Sequence, residues 1–438
     1  MRDTADLLRL TAVDFQQMEQ FARNPLVINR AEGLYYYDVS GKRYFDAIGG
    51  IFVATLGHRH PRVMEAMRRQ MERITFAPPL HSISDVTLAF IDKLASLTPA
   101  NLRFIKPLSG GSEAVEASLK FVRQFFKQTG KPAKYKFISR YSGYHGATFG
   151  AMAASGTGAR KTMFEPQMPG FLKVPPPTYY RDRFPDWDEC NRHAARAFED
   201  VMINEDPATV AAVIVEPIGN TGGIITPTDE YFRILRQACD RHNVILIFDE
   251  IITGFGRTGS LFACQTFGVT PDILCLGKGI SSGAIPLAAM AARDDMAQAF
   301  LGEPEDEVQF MHGHTYAGNP LACAAGIAVM DEIVENRLWE KAASLGLYLR
   351  AKLEKLKSLG VVREVRGKGI LLGVELTDPA IGRALKQTAL ENGLIMRIDP
   401  GWFAVCPALI AQESDLDEMC SLVEKSLVQA IQAVSALA

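Results

Sequence analysis

The chain has no apolar run long enough to span a bilayer. Its 47 basic residues are balanced by 50 acidic ones, so no excess of positive charge favours nucleic acid or an anionic membrane as a partner. Internal repeats and low-complexity segments are also missing. These absences leave small molecules as the expected partners of a globular protein whose 438 residues can bury a large core.

Cysteine is scarce and scattered. The seven cysteines are odd in number and none has CxxC spacing, which argues against a disulfide framework and against a structural zinc site. The first twenty residues are amphipathic and carry acidic side chains, unlike a secretory signal. We therefore expect a protein of a reducing compartment, the cytoplasm.

Helix and strand signals alternate along most of the chain, which predicts an α/β fold. We expect an N-terminal helix, reaching to about Arg30, and a hairpin in residues 1–60 that pack with a small domain. Residues 61–332 are predicted to form a large domain with a mostly parallel sheet between helices. Residues 333–438 are predicted to form a smaller α+β domain.

Three strand signals of the large domain end in residues that can do chemistry. Strand, helix and strand are predicted in turn between Val210 and Glu250, and such crossovers join parallel strands. Glu216 and Asp249 should therefore meet at the carboxyl edge of the sheet, where ligands of open α/β folds bind. The next apolar segment, DILCL, brings Lys278 to the same edge.

Lys278 and Asp249 suggest a specific chemistry when they occur together. Lys278 stands between Gly277 and Gly279, which leave room for a bulky planar ligand, and its amine can form a Schiff base with an aldehyde cofactor. Asp249 follows an apolar strand and could hold the proton on a pyridine nitrogen. The structural alternatives are a solvated loop lysine and, for Asp249, a metal ligand or a helix cap.

Two glycine-flanked segments could contact the rest of such a cofactor. LSGGSEA places a glycine pair and Ser112 at a helix start, which is typical of a phosphate site but equally of an ordinary capped helix. Tyr144 and His145 follow another strand, and an aromatic ring there could stack on a planar ligand or simply pack its loop.

Two further patterns point elsewhere. GFGRTG, residues 254–259, matches the dinucleotide pattern GxGxxG but has no helix signal directly behind it, so a nicotinamide dehydrogenase is a distant alternative. The pairs His58 with His60 and His312 with His314 could ligate a metal, but no third ligand stands at a telling spacing. We expect no metal site.

The motifs LSGGSEA, YHGAT, VIVEPI, IFDEIITGFGRTG, PDILCLGKG and HTYAGNPLACAAG, in this order, resemble the class III (ω-type) aminotransferases over nearly the whole chain. The resemblance implies the fold type I of pyridoxal-5'-phosphate (PLP)-dependent transferases, and a homodimer or dimer of dimers with active sites shared between subunits. It implies a ping-pong transfer of an amino group from an amine or amino acid to a keto acid, with pyruvate as our first expectation. A racemase, decarboxylase or aminomutase on the same scaffold is the nearest alternative, and a scaffold without turnover is a more remote one.

The resemblance also implies a role for each matching residue. Lys278 would be the Schiff-base lysine and proton shuttle, and Asp249 the partner of the pyridine nitrogen. The other cofactor contacts would be Tyr144 stacking on one ring face, Ile251 packing on the other, Gly111 and Ser112 at the phosphate with Thr315 of the second subunit, and Glu216 and His145 beside the ring.

The resemblance also makes Tyr144 a substrate contact, and three further positions bear on the substrate. Ile252 stands where glutamine is expected in the ornithine and 4-aminobutyrate branches, so the sequence is closer to the pyruvate-using ω-transaminases. Arg397 matches an arginine that binds the substrate carboxylate and swings away for apolar amines. Phe52 would line the pocket wall. For the last two, the alternatives are an interdomain salt bridge and core packing.

Overall fold

A computed structural model of the chain describes residues 3–99 and 101–436. Its helices are α1 (Thr4–Leu8), α2 (Met18–Arg23), α3 (Gly49–Phe52), α4 (Pro61–Met71), α5 (Asp85–Leu97), α6 (Gly111–Gln128), α7 (Phe149–Ala154), α8 (Trp187–Asn204), α9 (Asp229–Arg241), α10 (Ala263–Thr266), α11 (Asp294–Ala297), α12 (Pro320–Glu335), α13 (Leu338–Glu354), α14 (Pro379–Glu391) and α15 (Glu413–Ser435). Within these ranges, no helix is both long and apolar enough to cross a membrane.

The strands form three sheets. They are β1 (Ile28–Glu32), β2 (Tyr35–Asp38), β3 (Arg43–Asp46), β4 (Phe104–Leu108), β5 (Lys136–Arg140), β6 (Phe171–Val174), β7 (Val210–Val215), β8 (Ile245–Asp249), β9 (Ile273–Leu276), β10 (Ala288–Ala292), β11 (Val362–Lys368), β12 (Leu371–Leu376), β13 (Leu394–Ile395), β14 (Arg397–Asp399) and β15 (Trp402–Val405).

The central sheet has the order β4-β10-β9-β8-β7-β5-β6. All neighbouring pairs from β9 to β6 are parallel, and β10 alone runs antiparallel to both of its neighbours. Its inner strands β7, β8 and β9 are buried along their whole length. Strands covered on both faces need continuous apolar runs, which is what these segments contain. The predicted α/β fold with a mostly parallel sheet is confirmed.

The strand–helix–strand unit of β7, α9 and β8 forms where the sequence predicts it. Thr228 caps α9, since its side chain accepts a hydrogen bond from the backbone N–H of Tyr231. Because β7, β8 and β9 are parallel neighbours, the residues that follow them emerge at one edge of the sheet.

The expected single N-terminal helix is wrong. The structure has two short helices, α1 and α2, and strand β1 lies where the helix was expected to end. A physical reason for the end of α2 is Pro25, which disfavours helical backbone at the preceding Asn24. The hairpin of β2 and β3 forms as predicted, and β1 adds a third antiparallel strand to it.

The C-terminal part contributes strands to two small sheets. One is the antiparallel sheet β11-β12-β15-β14. In the other, β13 pairs in parallel with β3, so that the N-terminal strands and the C-terminal part share the sheet β1-β2-β3-β13. Helices α14 and α15 accompany these strands. The domain boundaries given above remain predictions.

Candidate active site

A cavity open to solvent, with an empty volume of about 600 Å³, lies at the carboxyl edge of the central sheet. Its lining combines the start of α6 with the end of β8 and the segments that follow β5, β7, β8 and β9: Gly111, Ser112, Tyr144, His145, Gly146, Glu216, Ile218, Asp249, Ile251, Ile252, Thr253 and Lys278. Eight of the predicted site residues are therefore brought together in one place.

Lys278 enters the cavity from the turn after β9. Its backbone has φ of +45°, a left-handed conformation that is uncommon for a residue with a side chain. Such strain is concentrated at functional sites. Burial lowers the pKa of the Lys278 amine, and the carboxylates of Asp249 and Glu216 oppose that effect. A larger fraction of this amine is therefore neutral and nucleophilic than for an ordinary surface lysine.

Asp249 is the last residue of β8 and is only 5% exposed. Its Oδ2 lies 2.8 Å from Nδ1 of the buried His145, and its Oδ1 accepts a hydrogen bond of 3.2 Å from the backbone N–H of Ile251. The backbone N–H of His145 in turn donates to Oγ of Ser155 at 2.8 Å. Asp249 is thus held in one orientation by two partners on different elements.

Glu216 follows β7 and is a second buried carboxylate in the cavity. Its Oε1 accepts from the backbone N–H of Tyr144 at 3.1 Å, and its Oε2 accepts from the backbone N–H of Asn220 at 3.1 Å. Burial raises the pKa of Glu216, and the nearby His145 and Arg140 oppose this. Glu216 therefore anchors the loop that carries Tyr144 at the cavity that Lys278 enters.

The start of α6 approaches the cavity closely because its residues are small. A Cβ on Gly111 would lie 2.9 Å from Cδ1 of Ile251, and a Cβ on Gly146 would lie 2.6 Å from Oγ of Ser112. Ser112 Oγ accepts a hydrogen bond of 3.0 Å from the backbone N–H of Ala147, which leaves its own O–H as a donor. Backbone N–H groups at a helix start favour a bound anion.

Three predicted residues are not in the lining that the described residues form. Thr315 is exposed on a loop away from this chain's own cavity. Arg397 forms an ion pair of 2.7 Å with Asp399 on the same strand, rather than an interdomain salt bridge.

The expectation for Phe52 needs correction. Phe52 is 2% exposed and packs in the main hydrophobic core instead of the cavity wall. Left-handed or irregular backbone at Gly49, Gly50 and Ile51 turns Phe52 inward and leaves Ile51 61% exposed. The core-packing alternative is the one that the structure favours.

The GFGRTG segment has a structural role. Arg257 is fully buried, and its Nη1 donates to the backbone carbonyl of Pro407 at 2.7 Å. A backbone hydrogen bond of 3.2 Å from the N–H of Ile370 to the carbonyl of Arg257 adds a second connection to the C-terminal part. The helix that follows, α10, has only four residues and starts at Ala263. A dinucleotide site would need a helix that starts directly behind the glycines.

Within the described ranges, neither histidine pair belongs to a group of three or more His, Cys, Asp or Glu side chains that could hold a metal ion. His58 pairs with Asp46 at 2.8 Å, and His60 lies 3.8 Å from Glu332. Nε2 of His312 and Nε2 of His314 lie 3.1 Å apart.

The donor set of the cavity fits a phosphorylated pyridine aldehyde. An amine with a lowered pKa, a fixed carboxylate and a small-residue helix start are the three groups that such a cofactor needs for its aldehyde, its ring nitrogen and its phosphate. Tyr144 and Ile251 supply an aromatic and an aliphatic side chain between these groups.

Some residues of the site were missed from sequence. Ser155 holds the backbone of His145, and Arg160 lies over the ring of Tyr144 with its guanidinium carbon 4.8 Å from the ring centroid. Both come from the segment after α7, which has no periodic pattern. The glycines of that segment, Gly156 and Gly158, were the only signal that the chain turns back towards the cavity.

Comparison with known proteins agrees with this chemistry. The sequence model of the family "Aminotransferase class-III" matches residues 17–427. The chain is 33% identical to an adenosylmethionine-8-amino-7-oxononanoate aminotransferase of Geobacter sulfurreducens, with 94% of each chain covered. It is 30% identical to a beta-alanine–pyruvate aminotransferase of Pseudomonas aeruginosa, with 96% of each chain covered.

A solved structure is similar over the whole length. The crystal structure of the omega transaminase from Pseudomonas jessenii in complex with PMP (pyridoxamine phosphate) superposes with a TM-score of 0.94 and 31% sequence identity, covering 99% of both chains.

Proposed function

Because this chain belongs to the class III aminotransferases, a PLP-dependent family, we propose that it moves an amino group from an amine or ω-amino acid to pyruvate. The observation that carries this proposal is that the amine of Lys278 and the fixed carboxylate of Asp249 reach one cavity from consecutive parallel strands. The likeness to a beta-alanine–pyruvate aminotransferase supports pyruvate as the acceptor.

Bound PLP supplies an electron-withdrawing ring that stabilises negative charge on the substrate carbon. In the proposed site, Asp249 would hold the proton on the ring nitrogen. Its hydrogen bond to His145 fixes the orientation of the carboxylate. A carboxylate held in this way also needs no reorganisation when charge develops during the reaction.

Lys278 has two proposed tasks. Between turnovers its Nζ would hold the aldehyde cofactor. When a donor amine replaces it there, the freed Nζ would act as the base that removes a proton from the substrate carbon and as the acid that gives the proton back. Because burial lowers the pKa of Lys278, a larger fraction of this base is unprotonated than for an exposed lysine.

The remaining cavity residues position the cofactor. We propose that the backbone N–H groups at Gly111 and Ser112 and the Ser112 hydroxyl bind the phosphate. Tyr144 would stack on the ring, and Ile251 would pack against it. Glu216 keeps the Tyr144 backbone in place.

Donor and acceptor use the site in turn, so the kinetics are of the ping-pong type. Arg397 is proposed to bind the carboxylate of the amino acid or keto acid. Since Arg397 is paired with Asp399 at 2.7 Å, that interaction has to be exchanged for the substrate carboxylate.

We propose a homodimer or dimer of dimers in which Thr315 completes the phosphate site of the second subunit. Support comes from exposed apolar side chains: Phe76 is 41% and Leu80 is 90% exposed, and Phe76 contacts the exposed ring of Tyr316 beside Thr315. Exposed apolar groups close together are typical of interaction surfaces. All seven cysteines are free, which fits the expected cytoplasmic location.

The experiment is a panel of amines and ω-amino acids with pyruvate, in which alanine and the carbonyl product are measured together. We expect equal amounts of both, parallel double-reciprocal plots, and loss of turnover in Lys278→Ala. Release of carbon dioxide or racemisation of the donor without alanine would contradict the proposal and favour the decarboxylase or racemase alternative. Sedimentation of the cofactor-loaded protein tests the dimer, and a monomer would contradict the shared site.

A further inference from the structure

Arg160 lies beside the cavity without an acidic partner of its own. Its guanidinium carbon is 4.8 Å from the ring centroid of Tyr144 and 4.3 Å from that of Phe15, so aromatic rings flank it. The side chain is half-buried. Across the part of the chain that the structure describes, no carboxylate lies within ion-pair distance of it. A partly buried cation with no counter-charge is costly unless a ligand supplies the charge.

Arg397 is close enough to Arg160 for the two like charges to interact. Repulsion by Arg397, second only to burial, lowers the pKa of Arg160, while Asp399 opposes it. Asp399 is already engaged with Arg397 at 2.7 Å. Asp399 neutralises the charge of Arg397, so the positive charge of Arg160 beside Tyr144 has no ion-pair partner among the described residues.

We propose that Arg160 is a specificity-determining residue that binds the carboxylate of the substrate at the cavity mouth, together with Arg397. This inference rests on the proposed function. Arg160 can bind a carboxylate without first breaking an ion pair, whereas Arg397 must first give up its ion pair with Asp399. The aromatic rings of Phe15 and Tyr144 flank the planar group of Arg160 and restrict its orientation, and a planar guanidinium suits the two oxygens of a carboxylate.

The pair of arginines predicts a substrate class. Keto acids and ω-amino acids, which carry a carboxylate, should be preferred over arylalkylamines that carry none. A charge-assisted hydrogen bond between a guanidinium and a carboxylate changes affinity by roughly tenfold or more. Donors without a carboxylate would not benefit from it.

The test compares Arg160→Gln with a matched control, Arg183→Gln. Arg183 also lies over a tyrosine ring, with 4.7 Å to the centroid of Tyr179, but outside the cavity lining. Two quantities are measured on the cofactor-loaded protein: the calorimetric affinity for propionate, which has neither an amine nor a keto group, and the ratio of kcat/KM for β-alanine to that for 1-phenylethylamine.

We expect Arg160→Gln to weaken propionate binding and to lower the ratio of the two kcat/KM values, each by roughly tenfold. Arg183→Gln should behave like the parent in both measurements. Asp399→Asn should shift propionate affinity the other way, because it removes the competing carboxylate. Unchanged propionate affinity in Arg160→Gln would overturn the inference. If Arg160→Gln does not fold, Arg160→Lys replaces it, because lysine keeps the charge but lacks the planar guanidinium. Arg160→Lys is expected to weaken propionate binding, and binding as tight as in the parent would overturn the inference. A parent enzyme that forms no alanine from any donor refutes the proposed function instead, and the propionate titration still decides the role of Arg160.

Discussion

Gly111 is the position at which a single added methyl group tests the close packing at the proposed phosphate site. An alanine Cβ there would lie 2.9 Å from Cδ1 and 3.2 Å from Cγ2 of Ile251, closer than ordinary van der Waals contact. Ile251 packs in a hydrophobic cluster on one side and lines the cavity on the other, so relief of this contact pushes its side chain towards the cavity. Overpacking of this kind costs about 1–3 kcal/mol. We expect Gly111→Ala to lose that amount of stability and to bind PLP more weakly, because Ile251 is displaced towards the ring.

The assay is urea unfolding of the cofactor-free protein, followed by titration with PLP. Gly110→Ala is the matched control, because a Cβ at Gly110 meets no atom within 4 Å. Its expected cost is at most about 1 kcal/mol, the value of a poorer helix cap.

A double substitution isolates the contact. Ile251→Val removes Cδ1, the atom at 2.9 Å, so Gly111→Ala should cost less in that background by about 0.5–1 kcal/mol or more. Gly110→Ala should show no such coupling with Ile251→Val. Full stability of Gly111→Ala, or additivity of Gly111→Ala with Ile251→Val, would refute the reasoning.

Two further predictions concern the charged groups. Asp249→Asn should lower kcat by roughly 100-fold or more, because it removes a preorganised charge. The control in single-turnover kinetics is Asp272→Asn, at a buried aspartate that pairs with Arg236 at 2.9 Å. Equal losses in both variants would count against the role of Asp249. Burial lowers the pKa of Lys278 from 10.5, so its amine becomes neutral at a lower pH than that of an exposed lysine. Reductive alkylation of Lys278 in the cofactor-free protein should therefore reach half its maximal rate below pH 10.5, and a midpoint at or above that value would contradict the burial argument.

The part of the site that the sequence predicts best is the part built by regular strands. Glu216, Asp249 and Lys278 each follow a continuous apolar run, and the right-handed crossover rule places the ends of such strands at one edge. The structure brings all three side chains to one cavity there. Local patterns were sufficient because parallel sheet topology converts them into spatial proximity.

The parts that the sequence does not reveal depend on contacts between distant segments. Strand β10, AAMAA, consists mainly of alanine, a helix former, and becomes an antiparallel strand only because β4 and β9 flank it. Phe52 turns into the core because of backbone irregularity at neighbouring residues. Arg160 meets Tyr144 through a segment with no periodic pattern. In each case tertiary contacts decide the outcome.

The measurement that tests the central claim most directly is reductive trapping of the bound cofactor. The protein loaded with PLP should absorb at roughly 410 nm, as expected for the cofactor joined to a lysine. Borohydride should abolish this band. Peptide mapping should then find the label on Lys278 and nowhere else. Lys173 is the other lysine most expected to react with PLP, because burial lowers its pKa to about 7. A label on Lys173 or another lysine, or no label at all, would contradict the assignment of the cavity as the PLP site.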